Sequence, residues 1–248
     1  YLKVGRQRGI IRYVKHPWGY WGLFFLHLGM LIAVASSLLV ATTEKRGTLR
    51  MIEGEIHTPV SPWLFEERGL LAGPFLLPEA LRLEQVTPEF WPQGGVKNIR
   101  SQVDFISPEG RATRQTIAMT PILSYRGVRI HQENSFGHAF YLVFADRAGK
   151  EIGVVLDIDN PMEKEQASYR NFDFDEIPFQ IKAKYFADVE KKSLSSDNPL
   201  LVLRLVGPEE TVLGQLPLQK GGSGPLGPYQ VQVVKVKRWA GFIFQDIP

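Results

Sequence analysis

The run from Pro17 to Thr43 contains no Asp, Glu, Lys or Arg, and its centre is almost wholly apolar from Trp21 to Ala41. A helix of about 20 residues rising about 1.5 Å each spans about 30 Å, the thickness of a bilayer's hydrocarbon core. The pattern predicts one transmembrane α-helix over residues 17–43. Its length and flanks argue against a buried helix of a soluble protein. A signal peptide is disfavoured too, because the run is long and no small-residue cleavage site stands out after it. Past Thr43 the pattern changes to short alternating or apolar runs broken by Gly, Pro, Asn and Asp. Strands are expected at Leu81–Val86, Gln102–Ile106, Thr113–Met119, Val128–Glu133, Ala139–Ala145, Glu151–Leu156, Phe179–Phe186, Leu200–Val206, Thr211–Leu216 and Tyr229–Val236. Asp146–Gly149 and Ser107–Gly110 read as hairpin turns, and Lys220–Pro228 as a loop. The expected fold is membrane-anchored and mainly β: one helix, then an antiparallel β-sandwich-like extracytoplasmic domain over residues 44–248. Residues 157–176 are acidic and turn-rich, a candidate divide between two lobes.

Charge orients the helix. Lys3, Arg6, Arg8, Arg12 and Lys15 precede it with no acidic residue among them. After it, Glu44, Lys45, Arg46, Arg50, Glu53 and Glu55 nearly balance. The positive-inside bias therefore puts residues 1–16 in the cytoplasm and the β domain outside, with Trp18, Tyr20 and Trp21 as an interfacial aromatic belt. Pro17 suits the first helical position. The net charge of +3 over 248 residues makes no case for nucleic acid, and the lack of cysteine excludes disulfides, Cys-ligated metals and thiol redox chemistry.

Candidate chemistry is sparse. His27 interrupts the apolar run about six residues past Trp21, roughly 9 Å into the hydrocarbon. Ionisable groups at such depth face protein or water and mark candidate functional sites. Two readings stand: an imidazole ligand for haem iron, or a histidine hydrogen-bonded to a neighbouring helix. Gly29, Ala33 and Ser37 form a small-residue strip, and Gly29 lies about 200° around the helix from His27. In the β domain, His131 and His138 flank Gly137 and are placed to meet across a hairpin, although a pair alone is weak support for a metal site. Glu53, Glu55 and His57 alternate as on one solvated strand face. Lys235, Lys237 and Arg238 form a small basic cluster suited to a surface or partner contact. No nucleophile elbow, zinc-protease motif or phosphate-binding loop is present.

In order, these features resemble the ResB family (also called CcsB) of cytochrome c biogenesis proteins. Trp21-Gly-Leu-Phe-Phe-Leu-His-Leu-Gly29 resembles the family's histidine-bearing membrane helix. Glu53-Gly54 resembles the start of its periplasmic domain. Thr120–Gln132 resembles its proline turn followed by a tyrosine, a glycine and a glutamine. Trp239–Pro248 resembles the segment before its last membrane helix. The resemblance implies a system II role in the bacterial inner (cytoplasmic) membrane, beside a polytopic ResC/CcsA-like partner. Haem would cross the membrane and be presented to apocytochrome c, with His27 as an axial ligand of the haem iron and the second ligand from the partner. This chain would be at most a subunit of a cytochrome c haem lyase complex. The resemblance also implies further membrane helices before Tyr1 and after Pro248. The alternative is a non-catalytic, membrane-tethered β-domain that scaffolds an assembly or binds a periplasmic protein.

Overall fold

The computed structural model describes residues 2–7, 10–14, 18–195 and 198–247. The expectation for Pro17 falls outside them. The chain divides into two compact units, one holding the helix with Glu67–Pro74, the other Arg46–Glu66 and Phe75–Asp246.

In the first unit a hairpin of β1 (Leu2–Gln7) and β2 (Ile10–Val14) precedes α1 (Trp18–Thr43). Residues Trp21–Thr43 have a mean hydropathy of 2.3, and none of that window is buried. A helix apolar all round and exposed all round has the surface of a bilayer-crossing segment.

The second unit is built from three antiparallel sheets. The largest has the order β11-β10-β17-β3-β5, with β9 added to β10 and β16 to β17. These strands are β3 (Lys45–Ile52), β5 (Phe65–Arg68), β9 (Leu123–Tyr125), β10 (Val128–Ala145), β11 (Glu151–Asp159), β16 (Ser223–Leu226) and β17 (Tyr229–Asp246). A second sheet runs in chain order through β12 (Ser168–Phe174), β13 (Ile177–Phe186), β14 (Leu200–Val206) and β15 (Val212–Leu218). The third has the order β4-β6-β7-β8, from β4 (Ile56–His57), β6 (Ala80–Phe90), β7 (Val96–Ile106) and β8 (Ala112–Ala118).

Two hydrophobic cores result, and β10 and β17 contribute to both. Phe140, Leu142 and Phe144 of β10 join Val231 and Val233 of β17 in the core under β13 and β14. Val128, Ile130 and Phe136 of β10 join Phe242 and Phe244 of β17 in the core under β6 and β7. The passage from one core to the other lies beside a bulge. Gln132 pairs with Phe242 and Phe136 with Ala240, so β10 carries two residues more than β17 across this step. A bulge bends and twists its strand, and here it lets one ribbon serve two sandwiches.

Several expectations are corrected. Val128–Glu133 and Ala139–Ala145 are one strand, because Glu133–Ser135 form a bulge and Phe136 and Gly137 pair with β17 and do not turn the chain. Residues 157–176 do not divide the lobes; Ile158 and Phe172 both pack in the first core. The Lys220–Pro228 stretch contains β16, which pairs with β17. The two predicted turns form, with Gly149 N–H donating to Asp146 O at 3.0 Å and Gly110 N–H to Ser107 O at 2.8 Å.

Candidate functional site

His27 is exposed on α1, and its Nδ1 lies 2.7 Å from the carbonyl oxygen of Leu23, one turn back. A carbonyl oxygen only accepts, so Nδ1 carries a proton; in the neutral imidazole Nε2 then holds the lone pair. Leu23, Phe24, Met30 and Leu31, a turn on either side, are each more than half exposed. The result is a basic nitrogen framed by apolar side chains. On the small-residue strip, Ser37 Oγ donates to Ala33 O at 2.8 Å, so its hydroxyl is satisfied within the helix. A Cβ added at Gly29 would meet nothing within 4 Å. The strip is open to close approach by another helix.

His131 and His138 do not meet. They lie on one strand on opposite sides of the bulge, opposite Ile243 and Arg238 of β17 respectively. Seven residues at about 3.3 Å each put them roughly 20 Å apart. Burial lowers the His131 imidazole below its ordinary pKa, with Arg46 adding to the effect. Its Nδ1 is buried without a hydrogen-bond partner.

His138 belongs to a buried relay that sequence reasoning missed. Its Nδ1 lies 2.6 Å from the Tyr185 hydroxyl, which donates to Asn160 Oδ1 at 3.1 Å. Tyr185 has one proton to give, so His138 Nδ1–H must be the donor to it, leaving Nε2 unprotonated. Asn160 closes the relay by donating Nδ2 to the Pro161 and Leu194 carbonyls, at 3.2 and 3.3 Å. Burial, then the nearby Arg238 charge, lowers the His138 pKa to about 3. Burial raises that of Tyr185. The neutral imidazole lines a cleft of about 520 Å³ beside Glu53, Glu84, Arg114, Lys237 and Arg238. His138, Tyr185 and Asn160 come from three different strands or their ends, so no sequence spacing could announce them.

Glu53, Glu55 and His57 are not a strand face. β3 ends at Ile52, and Gly54 turns the chain with a φ of +84°. Glu53 Oε1 accepts from Val86 N–H at 2.9 Å and Oε2 from Arg238 N–H at 3.3 Å, joining β6 to β17. Lys237 Nζ donates to the Glu53 carbonyl, and Arg238 donates to Val86 O at 3.2 Å. Two of the three basic-cluster residues are therefore committed inside the chain. Glu53→Ala strands the buried Val86 N–H and is expected to cost about 2 kcal/mol. Glu53→Gln, which keeps an acceptor oxygen, should cost less; denaturant unfolding of the full chain in nanodiscs measures both.

The Thr120–Gln132 stretch also proves architectural. The Thr120–Pro121 peptide is cis, and Gly127 turns β9 into β10 at a φ of +86°. Tyr125 stacks on Phe105 at 3.9 Å and donates to buried Glu79 at 2.6 Å. Gln132 accepts from Ser101 Oγ at 2.6 Å and donates to Gly241 O at 2.9 Å, tying β7 to β17 inside the second core. Among the described residues, no three His, Cys, Asp or Glu side chains are grouped as a metal site.

No curated protein and no solved structure matches the chain. The profile of the ResB-like family matches residues 5–233, a stretch that takes in α1 and nearly all of the β domain. A match over most of the chain, in a protein with one apolar N-terminal helix and an antiparallel β domain, places it: the chain belongs to the ResB-like family, whose context is cytochrome c biogenesis.

Proposed function

We propose that this chain handles haem during cytochrome c biogenesis, with a polytopic ResC/CcsA-like partner, and that His27 Nε2 is one axial ligand of the iron. The observation that carries the reading is the His27 geometry. The Leu23 carbonyl holds the Nδ1 proton, which leaves Nε2 as the free donor atom. Ligating histidines commonly donate their other nitrogen to such a carbonyl, which sets tautomer and ring orientation. The exposed Leu23, Phe24, Met30 and Leu31 fit the apolar faces of a porphyrin. When bound, haem supplies the reactive vinyl groups and the redox-active iron of cytochrome c. The chain's own part is to position and to shield: His27 holds the iron, and the surrounding side chains exclude water. A further ligand would come from the partner, whose helix would have the Gly29, Ala33 and Ser37 strip to pack against. In this reading the helix crosses the bacterial inner membrane with its N-terminus cytoplasmic, and the periplasmic β domain holds the partner or apocytochrome c.

The test is the haem content and Soret spectrum of the co-purified pair. His27→Ala should lower bound haem at least about tenfold, the effect of losing about 1.4 kcal/mol or more of ligation. Added imidazole should restore the spectrum. Unchanged haem and an unchanged Soret band in His27→Ala would overturn the ligand role and leave a tethered, non-catalytic β domain.

A further inference from the structure

We infer that Gly69–Ala72 forms an interfacial foot, inserting Leu70 and Leu71 into the leaflet at the C-terminal end of α1. The inference rests on α1 crossing a bilayer, and it concerns a segment to which no role has been assigned above.

The foot is joined to the helix end by backbone. Leu71 N–H donates to Thr42 O and Gly69 N–H to Glu44 O, both at 2.8 Å. The last carbonyls of a helix have no partner within it; here the foot supplies one to Thr42. The contact needs glycine, since a Cβ at Gly69 would lie 2.2 Å from the Thr42 carbonyl carbon. Ala72 N–H returns to Gly69 O at 3.0 Å. The N–H groups of Gly69, Leu71 and Ala72 are thus occupied, which lowers the cost of leaving water.

The register sets the depth. Charged residues 44–46 follow the helix, and charged residues 66–68 precede the foot. The bond from Gly69 to Glu44 aligns those two triplets at one level. Leu71, bonded to Thr42, lies on the helix side of that line, where the apolar run ends. Leu70 is 90% and Leu71 72% exposed. Two adjacent leucines left open at the end of a spanning helix lie at the depth of the boundary between headgroups and acyl chains. Lipid is therefore the occupant the position specifies.

The chain has no cysteine, so single-cysteine labelling of the full protein in liposomes needs no background removal. An NBD label would be placed at Leu70→Cys, at Ile32→Cys in the helix and at Val212→Cys on β15. The label at 70 should emit to the blue of that at 212. It should lose emission to lipids carrying a nitroxide near the headgroup, and resist aqueous iodide. Quenching of the label at 70 by iodide but not by lipid would overturn the inference. Shielding of that label from both quenchers would overturn it as well, in favour of a protein partner or second copy. If the label at 32 escapes lipids carrying a nitroxide deep in the acyl chain, the spanning reading of α1 is what fails.

Discussion

Trp239→Ala is expected to cost the full chain about 4 kcal/mol of unfolding free energy, within the range for deleting a buried indole. Trp239 is fully buried, and it belongs to neither hydrophobic core. It sits on β17 opposite Gly137, just beyond the bulge, where the ribbon passes from one sandwich to the other. Its Nε1–H donates to Ile158 O of β11 at 3.2 Å, and the Arg50 guanidinium of β3 lies 4.2 Å from the ring centroid. Arg50 in turn pairs with Asp157 at 2.5 Å. One side chain thus touches three strands where the ribbon passes between the two cores. Trp239→Phe keeps most of the ring but loses the bond to the Ile158 carbonyl, and should cost about 1–2 kcal/mol. Denaturant unfolding in nanodiscs, followed by far-UV circular dichroism, measures both. A loss below about 1 kcal/mol for the alanine variant would show that the passage between the cores does not depend on this residue.

The second large effect is loss of stability in mild acid. In the folded chain the His138 pKa is about 3, whereas an unfolded histidine titrates near 6.5. Between these values the unfolded state takes up a proton that the folded state refuses. Stability therefore falls as the pH drops below about 6.5, by roughly 1.4 kcal/mol per unit, reaching on the order of 4 kcal/mol near pH 3. His57 and His131 are lowered also, chiefly by burial, and act in the same direction. Asp104 contributes only in stronger acid. Its hydrogen bonds from Arg114 and Arg82 outweigh its burial and hold its pKa at about 2. The difference between the native chain and His138→Gln isolates the buried histidine. Between pH 6 and 4.5 the native chain should lose stability more steeply, by about one proton's slope. Parallel curves for the two chains would mean that His138 is not held neutral. The cause is geometric: protonation would put a second charge beside Arg238, in a relay whose Tyr185 and Asn160 have no carboxylate to offer.

What could be read from the sequence was whatever depends on neighbours along the chain. The helix was legible because an apolar run without charges has one solution in a bilayer. β14 was legible to the residue, and β6, β8, β11, β13 and β15 to within a few residues, because alternation and turn glycines are local signals. His27 stood out because an ionisable residue in an apolar run needs no partner to be noticed. The tertiary structure alone decided everything that depends on distant pairing. Asn134–Gly137 has the composition of a turn. Its first two residues, with Glu133, became a bulge because β10 pairs on both sides of them with β17, a strand about a hundred residues away, and from Gly137 onward with β11 as well. Gly137 matters there because a Cβ would fall 1.9 Å from the Ile158 carbonyl oxygen, and that neighbour appears in no local pattern. Glu53 looked solvated until β6 and β17 brought two N–H groups to its carboxylate. His138 read as an ordinary polar or surface histidine until Tyr185, 47 residues away, claimed its Nδ1. The Gly69–Ala72 foot likewise exists only because backbone groups 25 and 29 residues apart in the chain bond at the helix end. Hydropathy and turn chemistry act over a few residues and can be read in order along the chain. Hydrogen-bond partners, burial and pKa come from contacts that only the folded chain makes.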